Sequence, residues 1–250
     1  GGVPYLMPLI EENNFLPDLN KLSDSILKKA KVIYINYPNN PTASICGKGF
    51  FEEVAIFAKK YNLIVASDAA YSEIAFDGYR PDSFLKAEGG KETGVEFHSL
   101  SKTCNMTGWR IGFVCGNEKI IAGIAKVKSN IDSGVFNAIQ MASITALDIA
   151  DKHLERMNKI YQERRDTLVD GLNKLGWAIK KPKATFYVWA RLPKKSKSSI
   201  EFAGLLLDKA DIIITPGIGF GENGEDYVRF ALTVSKERIQ EAVQRLKKVL

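Results

Sequence analysis

Ser99-Leu100-Ser101-Lys102, followed by Thr107-Gly108-Trp109-Arg110-Ile111-Gly112, sets an amine eight residues before a guanidinium across a glycine-containing turn. An unprotonated lysine amine condenses with a carbonyl carbon. A planar guanidinium matches the paired oxygens of a phosphate or carboxylate. The first four residues also read S-x-x-K, the nucleophile motif of penicillin-recognising serine enzymes. That chemistry needs S-D-N-like and K-T-G-like elements, and Lys128-Ser129-Asn130 and Lys91-Glu92-Thr93-Gly94 do not supply them. Gly219-Phe220-Gly221-Glu222-Asn223-Gly224 fits G-x-G-x-x-G. A dinucleotide fingerprint requires a helix to open in the glycine turn, whereas an acidic and then strand-like stretch follows here, so the segment reads as a flexible turn. His98 and His153 are far apart, and Cys46, Cys104 and Cys115 form no C-x-x-C pair. These argue for free thiols in a reducing compartment and against a metal site.

The elements that must position the lysine follow from hydrophobic periodicity. Val32 to Ile35, Leu63 to Ala66, Val95 to His98 and Ile111 to Val114 read as strands. Phe50, Val54, Phe57, Ala58 and Tyr61 recur at helical spacing between the first two. Strands alternating with helices predict an α/β domain with a mostly parallel sheet flanked by helices, in which ligands sit beyond the carboxyl ends of the strands. Three strands end in reactive or hydrogen-bonding residues: Asn36 to Asn40, Asp68 to Tyr71, and Ser99 to Lys102. A TIM barrel obeys the same rule, but the alternation stops too early for one. One long helix is expected from Ala146 to about Leu175. Strands are then expected at Trp177 to Ile179, Phe186 to Leu192, Ile212 to Thr215 and Tyr227 to Val234, with a helix through Leu205 to Leu207 and a last one from Lys236 to Leu250. The division is therefore a large domain over 1–150 and a smaller α+β domain over 151–250.

The chain has 250 residues, enough for a sizeable core without disulfides. At 45% hydrophobic and 26% charged it has the composition of a soluble globular protein. No run approaches the ~18 apolar residues of a membrane span. The net charge of +6 comes from scattered lysines such as Lys28 and Lys29, Lys180 and Lys181, and Lys194, Lys195 and Lys197. A nucleic-acid binder would concentrate such charge in one stripe, so neither nucleic acid nor membrane is expected as a partner, and the balance suits an anionic small molecule.

Four segments together resemble the aminotransferases of the aspartate aminotransferase superfamily, pyridoxal-phosphate enzymes of fold type I. Asn36-Tyr37-Pro38-Asn39-Asn40-Pro41-Thr42 is similar to that family's N-P-x-N-P-T-G element, with Tyr37 inserted and Ala43 where glycine is usual. Ser67-Asp68-Ala69-Ala70-Tyr71 resembles its D-x-x-Y element, the segment from Ser99 to Gly112 its lysine and arginine element, and Tyr227-Val228-Arg229-Phe230-Ala231 its carboxylate-binding arginine segment. The resemblance implies pyridoxal 5'-phosphate as cofactor, joined to Lys102 as a Schiff base. It implies Asp68 at the pyridine nitrogen, keeping the ring an electron sink, and Tyr71 and Asn40 at the phenolic oxygen. Ser99, Ser101 and Arg110 would hold the phosphate, and Arg229, with Asn40, the substrate carboxylate. Lys102, Asp68 and Tyr71 are the catalytic set. It also implies a cis bond at Asn40-Pro41. Taken singly, Lys102 reads equally as a surface lysine, Asp68 as a helix N-cap, Arg229 as a surface ion-pair partner, and Asn40 and Tyr71 as turn or core residues.

Lys128-Ser129-Asn130-Ile131-Asp132-Ser133-Gly134-Val135-Phe136 and Ala184-Thr185-Phe186-Tyr187-Val188-Trp189 narrow the resemblance to the LL-diaminopimelate aminotransferase-like branch, although Phe136 and Trp189 would serve a core equally well. Implied substrates are an amino acid and a 2-oxo acid, with aspartate and alanine aminotransferases as alternatives. The chain opens at Gly1-Gly2-Val3-Pro4 where the family has a long preceding segment. This suggests a C-terminal portion whose sheet has an open edge, either an enzyme when complete or a non-catalytic remnant that binds another chain. A homodimer is the expectation that goes with the family, and the absence of a signal or membrane span favours the cytoplasm.

Overall fold

The fold is described from a computed structural model covering residues 1–193, 196 and 198–250. Lys194, Lys195 and Lys197, counted above among the scattered lysines, lie outside the described residues. In chain order the helices are α1 (Asp24–Leu27), α2 (Lys48–Tyr61), α3 (Gly90–Thr93), α4 (Leu100–Thr103), α5 (Glu118–Lys128), α6 (Asn137–Asp148), α7 (Ala150–Lys174), α8 (Ser199–Ala210) and α9 (Lys236–Leu246). The strands are β1 (Val32–Asn36), β2 (Ile64–Asp68), β3 (Gly94–Ser99), β4 (Gly112–Gly116), β5 (Tyr187–Arg191), β6 (Thr215–Pro216) and β7 (Tyr227–Ala231).

The first sheet runs in the order β1-β2-β3-β4, with β1, β2 and β3 parallel and β4 antiparallel to β3. Asn36 is paired with Asp68, and Ser99 with Gly112. The three sequence segments therefore leave the same end of the parallel strands, where strand alternation and α/β topology put a binding site. Ile33 and Ile35 on β1 alternate inward and pack with Val65 against Phe51, Val54, Ala55 and Ala58 of α2. Burying a side chain the size of Phe51 or Val54 contributes roughly 1.5–3 kcal/mol. Val32, Tyr34 and Ile64 point the other way and are exposed.

The second sheet, β5-β7-β6, is antiparallel. Val188, Ala190, Val228 and Phe230 pack with Leu168, Val169 and Leu172 of α7, Leu206 of α8 and Leu246 of α9. Tyr71, Ile74 and Phe76 belong to this same cluster, tied in by a bridge between Ala75 and Ala184.

Several sequence expectations need correction. The helix expected from Ala146 to Leu175 is two, since α6 ends at Asp148 and α7 begins at Ala150. Trp177 is not in a strand. Gly176 (φ 85) turns the chain left-handed, its N–H closing on Asn173 and that of Trp177 on Leu172, a Schellman cap. Ile212 to Ile214 are likewise outside the sheet. Asp211 is left-handed (φ 52), and the N–H of Ile212 is bonded to the carbonyl of Leu206, which leaves only Thr215–Pro216 as strand. β7 stops at Ala231 and α9 at Leu246, short of Val234 and Leu250.

Candidate active site

Asp68 ends β2 with both carboxylate oxygens engaged. Oδ1 accepts from the Ala70 N–H at 3.1 Å, and Oδ2 from the Tyr34 hydroxyl at 3.0 Å. The first bond is an Asx turn, the aspartate side chain accepting from the backbone two residues on. Both donors are neutral, so neither cancels the carboxylate's charge. Tyr34 projects from the exposed face of β1. Its phenol is pushed up to about 12 by burial and by the Asp68 charge, so it remains a protonated donor.

Tyr71 follows in the same turn, buried, and burial first and the Tyr187 hydroxyl second raise its phenol well above the ordinary value. The two hydroxyls are 3.4 Å apart. The amine of Lys102 lies 5.7 Å from the centre of the Tyr71 ring. Lys102 sits in α4, the single turn that follows β3, and Asp68 ends the adjacent parallel strand β2. Ser99 ends β3, and Ser101 is buried in that turn. The Thr107 hydroxyl donates to the Ser101 carbonyl at 3.1 Å.

Arg110 is exposed and left-handed (φ 54), and its guanidinium donates to the Thr107 carbonyl at 3.1 Å. Hydrogen bonding of the Leu100 N–H to Ile111 brings this arginine beside the serine-lysine turn. A side chain on Gly112 would meet the His98 carbonyl at 2.5 Å, which explains the glycine two residues after the arginine.

Asn40 sits on the loop that follows β1, its N–H bonded to the Asn36 side chain at 2.9 Å, while the Asn36 amide reaches the Asp68 carbonyl at 2.9 Å. The Asn40–Pro41 bond is cis as expected, and so is Tyr37–Pro38. Arg229 on β7 donates to Asn40 Oδ1 at 2.7 Å and to the Thr215 hydroxyl at 3.4 Å. Its guanidinium lies 4.1 Å from the centre of the Tyr187 ring and 4.7 Å from that of Phe220. Its Nε is buried without a partner among the described residues, a donor that a bound anion would satisfy.

The structure thus gathers Asp68, Tyr71 and Lys102 in one group, Asn40 and Arg229 in a second joined to it through Tyr71 and Tyr187, and Ser99, Ser101 and Arg110 in one turn. Tyr34, Tyr187, Thr215 and Phe220 were missed as site residues. Tyr187 was legible only as part of a family-like stretch, and Phe220 only as the variable position of a glycine motif. That motif forms two short 3-10 turns, Gly217–Phe220 and Glu222–Gly224, followed by β7, which is incompatible with a dinucleotide fingerprint.

An amine, a carboxylate held by two neutral donors, a buried phenol, two hydroxyls and a guanidinium at one sheet end suit a phosphorylated aldehyde with a cationic ring. Pyridoxal phosphate is such a molecule. Among the described residues there is no cluster that could hold a metal ion and no helix long and apolar enough to cross a membrane.

Residues 1–246 match the family described as aminotransferase class I and II. The chain is 54% identical to an LL-diaminopimelate aminotransferase of Moorella thermoacetica and 55% identical to one of Syntrophobacter fumaroxidans, covering 100% of this chain and 64% of each relative. It therefore spans less than two thirds of the length of these relatives. Among solved structures, apo BacF of Bacillus subtilis superposes with a TM-score of 0.94 at 42% identity, over 98% of this chain and 62% of that one.

Proposed function

The chain belongs to the class I and II aminotransferase family, and from that membership we propose that it carries the lysine and the substrate-carboxylate site of a pyridoxal-phosphate-dependent aminotransferase. The observation that carries the reading is the Lys102 amine above the ring of Tyr71, which lies three residues after the Asp68 that ends β2. Lys102 would hold the aldehyde carbon, Asp68 the ring nitrogen, and Tyr71 and Asn40 the phenolic oxygen. Ser99, Ser101 and Arg110 would hold the phosphate. When bound, the cofactor supplies the aldehyde and the electron sink through which an amino group passes from an amino acid to a 2-oxo acid.

Tyr71, buried and with its phenol raised, acts as a protonated donor at neutral pH. Arg229, stacked on Tyr187 and Phe220 and bonded to Asn40, orients the substrate α-carboxylate. We propose LL-diaminopimelate and 2-oxoglutarate as the exchanging pair; the relatives' name at 54% and 55% identity supports this. The reading includes a cofactor-binding part over 1–150 and an α+β part over 151–250, supported by the two separate sheets β1-β2-β3-β4 and β5-β7-β6. It also includes a homodimer, supported by the apolar surface of Phe136, Met141, Ile144 and Leu147 along α6, and cytoplasmic location, supported by three free cysteines.

The test is cofactor retention after dialysis, followed by amino-group exchange with LL-diaminopimelate, for the wild-type chain and Lys102→Ala. Retention and exchange that both vanish in Lys102→Ala are expected. Equal retention by the two proteins would refute the assignment.

A further inference from the structure

Residues 10–16 form a tight turn against the Asn40 loop and β7. The Phe15 N–H donates to the Ile10 carbonyl at 2.8 Å and the Asn14 N–H to the Glu11 carbonyl at 2.9 Å. Asn14 and Phe15 are both left-handed, at φ 50 and 57. A phenylalanine at positive φ persists only where its surroundings over-determine it.

Two sets of contacts do so. On one side the Tyr37 hydroxyl donates to the Phe15 carbonyl at 2.6 Å, and the Ser44 hydroxyl to the Asn14 carbonyl at 2.5 Å. Tyr37 and Ser44 bracket the loop that carries Asn40. On the other side the Tyr227 hydroxyl donates to the Glu11 carboxylate at 2.9 Å, and the Phe15 and Tyr227 rings meet edge-on with centroids 5.9 Å apart. Tyr227 is on β7 two residues before Arg229, so both side chains leave the same face of the strand. The turn thus joins the Asn40 loop to the Arg229 strand, and the Arg229–Asn40 bond closes the triangle. Arg191 also approaches Glu11, at 3.7 Å, but it is largely exposed, and such an ion pair contributes little.

We infer that the turn of residues 10–16 is a strap that sets the spacing of Arg229 and Asn40, with Glu11 and Phe15 as positioning residues and Tyr227 as their anchor. Without the strap, carboxylate binding would bear the cost of ordering the loop against the strand. The inference rests on the proposed carboxylate role of Arg229 and Asn40, and its test separates the two.

In the full chain labelled with 15N-arginine, water exchange of the Arg229 Nε–H is compared among wild type, Glu11→Ala, Glu11→Gln and Tyr227→Phe. Each protein is also titrated with maleate as the carboxylate probe. Glu11→Ala and Tyr227→Phe are expected to speed exchange and weaken maleate by about tenfold, a change of about 1.4 kcal/mol. Glu11→Gln retains an acceptor oxygen for the Tyr227 hydroxyl and stays within about twofold of wild type. Wild-type exchange in Glu11→Ala, or equal losses in Glu11→Ala and Glu11→Gln, would overturn the strap. A wild-type Arg229 signal that ignores maleate would overturn the carboxylate reading instead, with the exchange comparison still deciding the strap.

Discussion

Arg229 Nη1 donates a 2.7 Å hydrogen bond to Asn40 Oδ1 across 189 positions of the chain. The bond joins the second sheet to the loop after β1, and Nε of the same guanidinium is buried and unsatisfied among the described residues. An arginine stacked on two rings, bonded to Asn40 and more loosely to Thr215, is set to receive a carboxylate at the remaining donors.

Arg229→Lys keeps the charge but loses the fork and the stacking on Tyr187 and Phe220. Maleate binding measured by calorimetry is expected to weaken by about 10- to 100-fold, the loss of one or two charge-assisted hydrogen bonds. Unchanged affinity would mean that the anion binds elsewhere.

Ala43 stands where the family element usually has glycine, and its φ is 55. The left-handed conformation costs an alanine about 1–2 kcal/mol, part of which glycine's extra chain entropy offsets. Ala43→Gly is therefore expected to stabilise the chain by about 0.5–1 kcal/mol, raising the melting temperature by about 1–4 °C. A lower melting temperature would contradict the strain.

Gly217 and Gly224 pack backbone to backbone. A Cβ on Gly217 would lie 1.9 Å from the Gly224 carbonyl oxygen, in the turn that delivers Phe220 to Arg229. Gly217→Ala is expected to cost about 3 kcal/mol by overpacking, read as a fall of about 6–12 °C in melting temperature. Gly219→Ala, with nothing within 4 Å, serves as the neutral control.

Arg165 is 1% exposed and grips Asp77 with two bonds, at 2.6 and 3.0 Å, while also bonding Asp166 and the Pro182 carbonyl. The Arg165 hydrogen bond holds the Asp77 carboxyl below its ordinary value of 3.8. A depressed carboxylate contributes stability that is present above the ordinary value and is lost as pH falls through the native one. Both carboxylates are partly hydrated, so Arg165→Met is expected to cost about 1–3 kcal/mol at neutral pH rather than the full toll of a broken buried pair. The gap from wild type should shrink below about pH 4. A gap that is constant with pH in urea melts would rule out the pair as its source.

The strands of the first sheet and the ends that carry Asp68, Ser99 and Lys102 were legible because alternation and β-branched runs mark parallel strands locally. Leu63, Trp177 and Ile212 were each misread as the start of a strand, for one physical reason. Each follows a left-handed residue, Asn62, Gly176 or Asp211, and spends its N–H on the last turn of the preceding helix, bonding Ala58, Leu172 and Leu206 respectively. The break at Ile149 has no glycine or proline to announce it. Tyr187 and Phe220 could not be placed beside Arg229 from sequence, because that contact depends on the β5-β7-β6 register and on a turn whose spacing imitates another motif.

The most direct measurement is borohydride reduction of the chain with pyridoxal phosphate, followed by peptide mass mapping. The account predicts one dominant adduct on Lys102, weakened by Asp68→Ala. Adducts spread over surface lysines such as Lys28, Lys180 and Lys247, with Lys102 unmodified, would contradict it.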